Sequence, residues 1–197
     1  MITHRPNRLF YVGVVGAAGV GKDSFARALA AQLPHASIIP FALPIRVLAA
    51  AVGGVAPPTR SSLVAVGAVG RGLKPNVWAL WHHALVTSEL SKDAEAPSLP
   101  ESDPRLLAKY RVIIVPDVRF RDEVAYIRDF APDCVLVGLR HPDPARNNEF
   151  DVQPTLPTCD FVWENHYVEM FCPHTHFAGL VHDVIMRIYD VISKPKR

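Results

Sequence analysis

Cysteine is scarce in this chain. Cys134, Cys159 and Cys172 are odd in number, widely spaced and include no CxxC pair. They offer no disulfide framework, and a reducing cytosol suits them best. The stretch Cys159, His166, Cys172, His174 and His176 has metal-ligand residue types, but without paired spacing it reads as a loop entering the last helix rather than a zinc site. Long apolar runs are absent, which excludes a bilayer span, and Met1 to Arg8 lacks an apolar signal core. The expectation is a soluble cytoplasmic protein. A strong charge of one sign is also missing: the net charge is +2 with His neutral, which argues against a nucleic-acid polymer as partner. There is no GxGxxG, and no acid near Phe41 to Pro44, so a dinucleotide fingerprint is lacking. With 49% hydrophobic and 20% charged residues, the 197-residue chain has the composition of one globular α/β domain.

What is present is concentrated early. The run Gly16-Ala17-Ala18-Gly19-Val20-Gly21-Lys22-Asp23, then Ser24, follows an apolar stretch (Leu9 to Val15) and precedes a helical pattern (Asp23 to Leu33). Strand, glycine loop, lysine and helix form the layout of a phosphate-binding loop. Its glycines let several N–H groups converge on one anion, the helix adds its positive end, and Lys22 adds a full charge toward the outer phosphates. The hydroxyl residue that usually follows the lysine is replaced by Asp23, with Ser24 one place later.

Downstream, the pattern alternates. Ala36 to Phe41, Arg111 to Pro116, Cys134 to Leu139 and Asp160 to Trp163 read as strands. Ile45 to Val52, Ser61 to Val69, Asn76 to Leu90, Asp122 to Phe130 and Phe177 to Ile192 read as helices, with Gly70-Arg71-Gly72 as a break between the second and third of these. Ser91 to Pro104 and Arg140 to Thr158 read as polar, proline-bearing loops, the latter a flap. His82 and His83 are expected on a helix surface lining a groove, and Tyr110, Tyr126 and Tyr167 in packing roles. Alternation of this kind predicts a mostly parallel five-stranded sheet with helices on both faces, binding ligands beyond the carboxyl ends of its strands. Three places meet that rule: the glycine loop, the Phe41 to Arg46 corner and the Pro116 to Arg119 corner.

The last of these carries chemistry of its own. Asp117 follows an apolar strand, where an acid can face magnesium held at the glycine loop. Arg119 could clamp an anion in bidentate fashion, and Glu123 lies one helical turn beyond. An ordinary turn fits the same residues, with Asp117 or Asp122 as a helix cap and Arg119 paired to Glu123 on the surface.

Four segments in order, Gly19 to Ser24, Phe41 to Arg46, Ala65 to Arg71 with Trp78 following, and Val115 to Glu123, resemble the deoxynucleoside monophosphate kinases of bacteriophages, a branch of the P-loop nucleotide kinases. That family carries GKD before Ser or Thr, so Asp23 fits it, and Phe161 to Asn165 resembles its short last strand. The resemblance spans about Tyr11 to Glu169. It implies a three-layer NMP-kinase-like sandwich, an acceptor-binding helical region at about 44–108 and a lid at about 140–158. ATP phosphates would lie in the loop Gly16, Ala17, Ala18, Gly19, Val20, Gly21, Lys22, Asp23 and Ser24, with Arg140 at the lid entrance. Asp23, Ser24 and Asp117 would surround Mg2+, directly or through water. Arg46, Arg71, Arg119 and Glu123 would serve the acceptor, with Trp78 near its base, and Lys22, Asp117 and Arg119 would be catalytic. Leu43, Arg121, Ala65 and Ala68 depart from the family pattern on the acceptor side. The implied partners are ATP and a deoxynucleoside monophosphate, in the host cytoplasm for a phage-encoded protein, with a homodimer left open. The alternatives are a kinase of another phosphorylated metabolite, such as phosphomevalonate or dephospho-coenzyme A, a kinase of a modified base in phage DNA, and a nucleotide-binding module without catalysis.

Overall fold

The structure, a computed structural model, describes residues 8–33, 35–54, 57–92, 110–131, 133–143, 158–165 and 177–194. In chain order the elements are β1 (Arg8–Gly16), α1 (Lys22–Ala30), β2 (Ala36–Ile38), α2 (Leu43–Gly53), α3 (Arg60–Leu73), α4 (Val77–Lys92), β3 (Tyr110–Val118), α5 (Arg121–Phe130), β4 (Cys134–Arg140), β5 (Phe161–Glu164) and α6 (Ala178–Ser193). The five strands form one sheet in the order β2-β3-β1-β4-β5, and every pairing is parallel. The central strands carry continuous apolar runs (Leu9 to Val15, Val112 to Val115 and Cys134 to Leu139) because helices cover both faces of the sheet.

Alternate residues of the three central strands β1, β3 and β4 feed two cores. On one face Phe10, Val12, Val14, Val135 and Val137 pack with Phe25 and Leu29 of α1 and Leu180, Val184 and Ile188 of α6. On the other, Tyr11, Val15, Ile113 and Leu136 pack with Ala79 and Val86 of α4 and Val124 and Ile127 of α5. This is the three-layer α/β sandwich that the alternating pattern predicts. No helix among the described residues is long and apolar enough to cross a membrane.

Several boundaries depart from the sequence reading. β2 is only three residues long and ends before Pro40, which has no N–H to continue a ladder. β3 runs through Pro116 to Val118, so Asp117 is a strand residue rather than a corner residue. The register of β3 on β1 slips by one residue between Gly13↔Val115 and Val15↔Val118. That bulge accommodates the missing donor of Pro116.

The predicted break at Gly70-Arg71-Gly72 does not occur, and α3 continues to Leu73. Gly70 is there for contact: a Cβ on it would lie 2.1 Å from the Trp78 ring. The glycine admits the indole against the helix, and Trp78 Nε1 donates to the Gly67 carbonyl at 3.0 Å. His82 also departs from expectation. It is fully buried, in ring contact with Tyr11, Phe41 and Tyr126. Ala79, His82 and Val86 fall on one side of α4, and that side is the buried one. Tyr110 and Tyr126 pack as expected, against Phe10 and Phe130 respectively. Tyr167, the 93–109 stretch, the 144–157 part of the flap and the His166 to His176 segment lie outside the described residues.

Candidate functional site

The glycine loop leaves β1 at Gly16 and enters α1 at Lys22. Gly19 and Gly21 adopt φ of 77° and 93°, a left-handed conformation that L side chains disfavour. Those two turns curl the chain. The amides of Ala18, Gly19 and Gly21 donate to no group among the described residues. They lie beside the N-terminus of α1, where further donors and the helix dipole favour an anion. Lys22 is buried, at 8% exposure, and its Nζ donates to the carbonyl oxygens of Gly16 at 2.6 Å and Ala17 at 2.5 Å. The ammonium therefore sits inside the loop. Asp23 is exposed and Ser24 half-buried one step along the helix.

A brace from the far side of the sheet fixes the loop. Asn165, just after β5, is 4% exposed. Its Nδ2 donates to the Val20 carbonyl at 2.9 Å, and its own N–H donates to the Arg140 carbonyl at 2.7 Å. The sequence places an asparagine after a short strand but contains nothing that ties it to Val20. Arg140 itself ends β4 with an exposed side chain.

At the end of β3, Asp117 spans two of the predicted places. Its Oδ1 accepts the Phe41 N–H and its Oδ2 the Ala42 N–H, each at 2.8 Å. Burial raises its pKa above the ordinary value, opposed by those two bonds and by the charges of Arg119 and Arg46. Arg46, on the exposed side of α2, and Arg119 thus both lie within electrostatic reach of this carboxylate.

A small cavity of about 120 Å³ lies next to it, lined by Arg71, Asn76, Trp78, Phe120, Asp122 and Glu123 among others. The Arg71 guanidinium sits 4.5 Å from the centre of the Phe120 ring, in cation–π geometry. Glu123 is buried, and its Oε2 accepts the N–H groups of Arg119 at 2.7 Å and Phe120 at 3.0 Å. Glu123 therefore closes the start of α5 as the distal arm of a capping box, in place of the surface pairing with the Arg119 guanidinium that the turn reading anticipated. Burial pushes its pKa up to about 7 despite those bonds, the Asp117 charge adding to the rise and Arg71 opposing it.

Three of the acceptor-side candidates, Arg71, Trp78 and Glu123, thus share one cavity, while Arg46 and Arg119 flank Asp117 beside it. Trp78 lines the cavity with its ring packed on Gly70 and its N–H committed to Gly67. Phe120, which carries the Arg71 contact, belongs to the Val115 to Glu123 segment of the resemblance but has no site role in the sequence reading, because an aromatic at a strand–helix junction does not by itself indicate a cation partner. Among the described residues no group of three or more His, Cys, Asp or Glu could hold a metal ion. Asp23 and Ser24 at the start of α1 are oxygen donors of the kind that magnesium takes, whereas both oxygens of Asp117 already accept amide N–H groups. No protein-family model matches this chain, and no curated protein matches it either.

Proposed function

We propose that this chain transfers the γ-phosphoryl group of ATP to a deoxynucleoside 5′-monophosphate, yielding a deoxynucleoside diphosphate and ADP. The observation that carries the reading is the pairing of two cationic regions at the carboxyl ends of two adjacent strands. The glycine loop and buried Lys22 follow β1, while Arg46, Arg71 and Arg119 surround the end of the adjacent β3.

In this reading the open amides of Ala18, Gly19 and Gly21 bind the ATP phosphates, and Lys22 turns from the loop carbonyls to the outer phosphate oxygens. Ser24 and Asp23 hold magnesium, which neutralises charge on the phosphate chain when bound. The arginines hold the acceptor phosphate in line with the γ-phosphorus. Phosphoryl transfer asks mostly for such positioning and charge stabilisation, and an acceptor phosphate is already ionised, so no strong base is required. Arg140, at the end of β4, would join the nucleotide.

The test is ADP production with dTMP, dGMP, dCMP, dAMP and modified pyrimidine monophosphates, with phosphomevalonate and dephospho-coenzyme A as competing acceptors. Turnover of one or more deoxynucleotides is expected. Intact ATP binding with turnover of none of them would overturn the reading.

A further inference from the structure

We infer that Asp117 is a positioning residue: acting from β3, it caps the N-terminus of α2 and so sets the place of Arg46. This differs from the magnesium role that its place at a strand end suggests, and its link to substrate rests on the kinase reading above.

The corner between β2 and α2 lacks ordinary means of support. β2 pairs with β3 only through Ala36, Ser37 and Ile38, followed by a bond from Ile39 N–H to the Ile114 carbonyl at 3.0 Å. Pro40 then has no N–H to offer. The next two amides, Phe41 and Ala42, are those taken by the Asp117 carboxylate. The N-cap of α2 is Ala42, whose side chain has no oxygen to accept from the helix, and no acid lies in the first turn. A carboxylate brought in from the end of β3 instead binds the amides of the N-cap residue and of the residue before it, and sets a negative charge at the start of the helix.

The connection to Arg46 is short. The carbonyl of Ala42 accepts the Arg46 N–H at 2.9 Å, while the amide of Ala42 is held by Asp117. One peptide and one helical turn therefore join the end of β3 to the base of the arginine. Both carboxylate oxygens accept amide N–H groups, so a metal would have to share oxygens already used to hold the corner. Two charge-assisted bonds at 2.8 Å are costly to give up.

Two variants separate the roles. Asp117→Asn keeps one acceptor but sets an NH2 group against the second amide. Asp117→Glu keeps the charge and its capacity to bind metal but shifts the carboxylate by one methylene. Both should raise the acceptor KM by about tenfold or more while the magnesium concentration for half-maximal rate stays within about twofold of wild type. Combining Asp117→Asn with Arg46→Ala should raise the acceptor KM no further than Arg46→Ala alone, because the two act through one contact. Amide hydrogen exchange supplies a readout independent of catalysis: Phe41 and Ala42 should lose protection in Asp117→Asn while Val112 to Val115 keep theirs. Unchanged exchange at Phe41 and Ala42, or a magnesium requirement that rises with acceptor KM unchanged, would overturn the capping role. A wild-type protein that turns over no acceptor would remove the kinase reading alone, and the exchange result would still decide the cap.

Discussion

Asn165 Nδ2 donates to the carbonyl of Val20 across 145 positions of sequence, joining the end of β5 to the middle of the glycine loop. The amide also lies close to Gly21, where a Cβ would approach Nδ2 to 3.0 Å. Asn165→Ala would leave a buried carbonyl without its donor, at a cost of about 1–3 kcal/mol. The loop conformation is thereby loosened, so ATP affinity should fall together with stability. Chemical denaturation and nucleotide titration of the same variant check both. Unaltered ATP affinity in a destabilised variant would show that the brace serves the fold and not the loop.

Gly70 and Gly72 lie two residues apart in α3, and substitution should have opposite effects. Gly72 has nothing within 4 Å of a built Cβ, so Gly72→Ala should stabilise the helix by about 0.4–1 kcal/mol through the unfolded chain. At Gly70 the new methyl would meet the Trp78 ring at 2.1 Å, a distance that forces α3 and α4 apart. Overpacking of that kind typically costs about 1–3 kcal/mol. Melting curves of the two variants should shift in opposite directions.

Two buried groups give stability opposite dependences on pH. Glu123 has its pKa pushed up to about 7 by burial, so between about 4.5 and 7 the folded state holds more proton than the unfolded one. Its contribution to stability therefore falls as pH rises through that window and levels off above it. Burial lowers the pKa of His82 to about 4, with the bond to the Ile39 carbonyl opposing the shift. The unfolded state then binds the extra proton, so this contribution is fully present above about 6.5 and is lost as pH falls toward 4. The two slopes oppose each other where the windows overlap. Glu123→Gln, which preserves the capping bonds, should expose a stability that rises with pH between about 4.5 and 6.5. Replacing His82 with Phe should expose the falling slope. Each slope is at most about 1.4 kcal/mol per pH unit, and denaturant melts from pH 4 to 8 measure it.

Lys22→Ala removes the one charged side chain enclosed by the glycine loop. For the proposed kinase this should lower kcat/KM by ~10²-fold or more, the scale of losing one electrostatic contact in a transition state. Near-normal turnover in the variant would contradict the role of the loop in transfer. The comparison requires a folded variant, which circular dichroism establishes.

Much of the fold was legible in the chain because its signals are local. A parallel sheet buried on both sides needs continuous apolar runs, and Leu9 to Val15 and Arg111 to Val115 announce two of its strands. The glycine loop is likewise a pattern within nine residues. Reading Gly70 to Gly72 as a break failed because glycine at a close helix contact looks in sequence the same as glycine in a turn. The surface expectation for His82 fails because a histidine between Trp81 and His83 carries no sign of which face of α4 is buried.

By itself, the sequence determined the alternation of strands and helices, the glycine loop with Lys22, and the supply of arginines downstream. Tertiary structure alone decided what Asp117 and Asn165 hold, which faces of α3 and α4 meet, and which candidates share a cavity. The division has a physical cause. A loop that curls around its own amides is specified by neighbours a few residues away, whereas a carboxylate 75 residues from the amide it accepts, or an amide 145 residues from its carbonyl, finds its partner only once the sheet has formed.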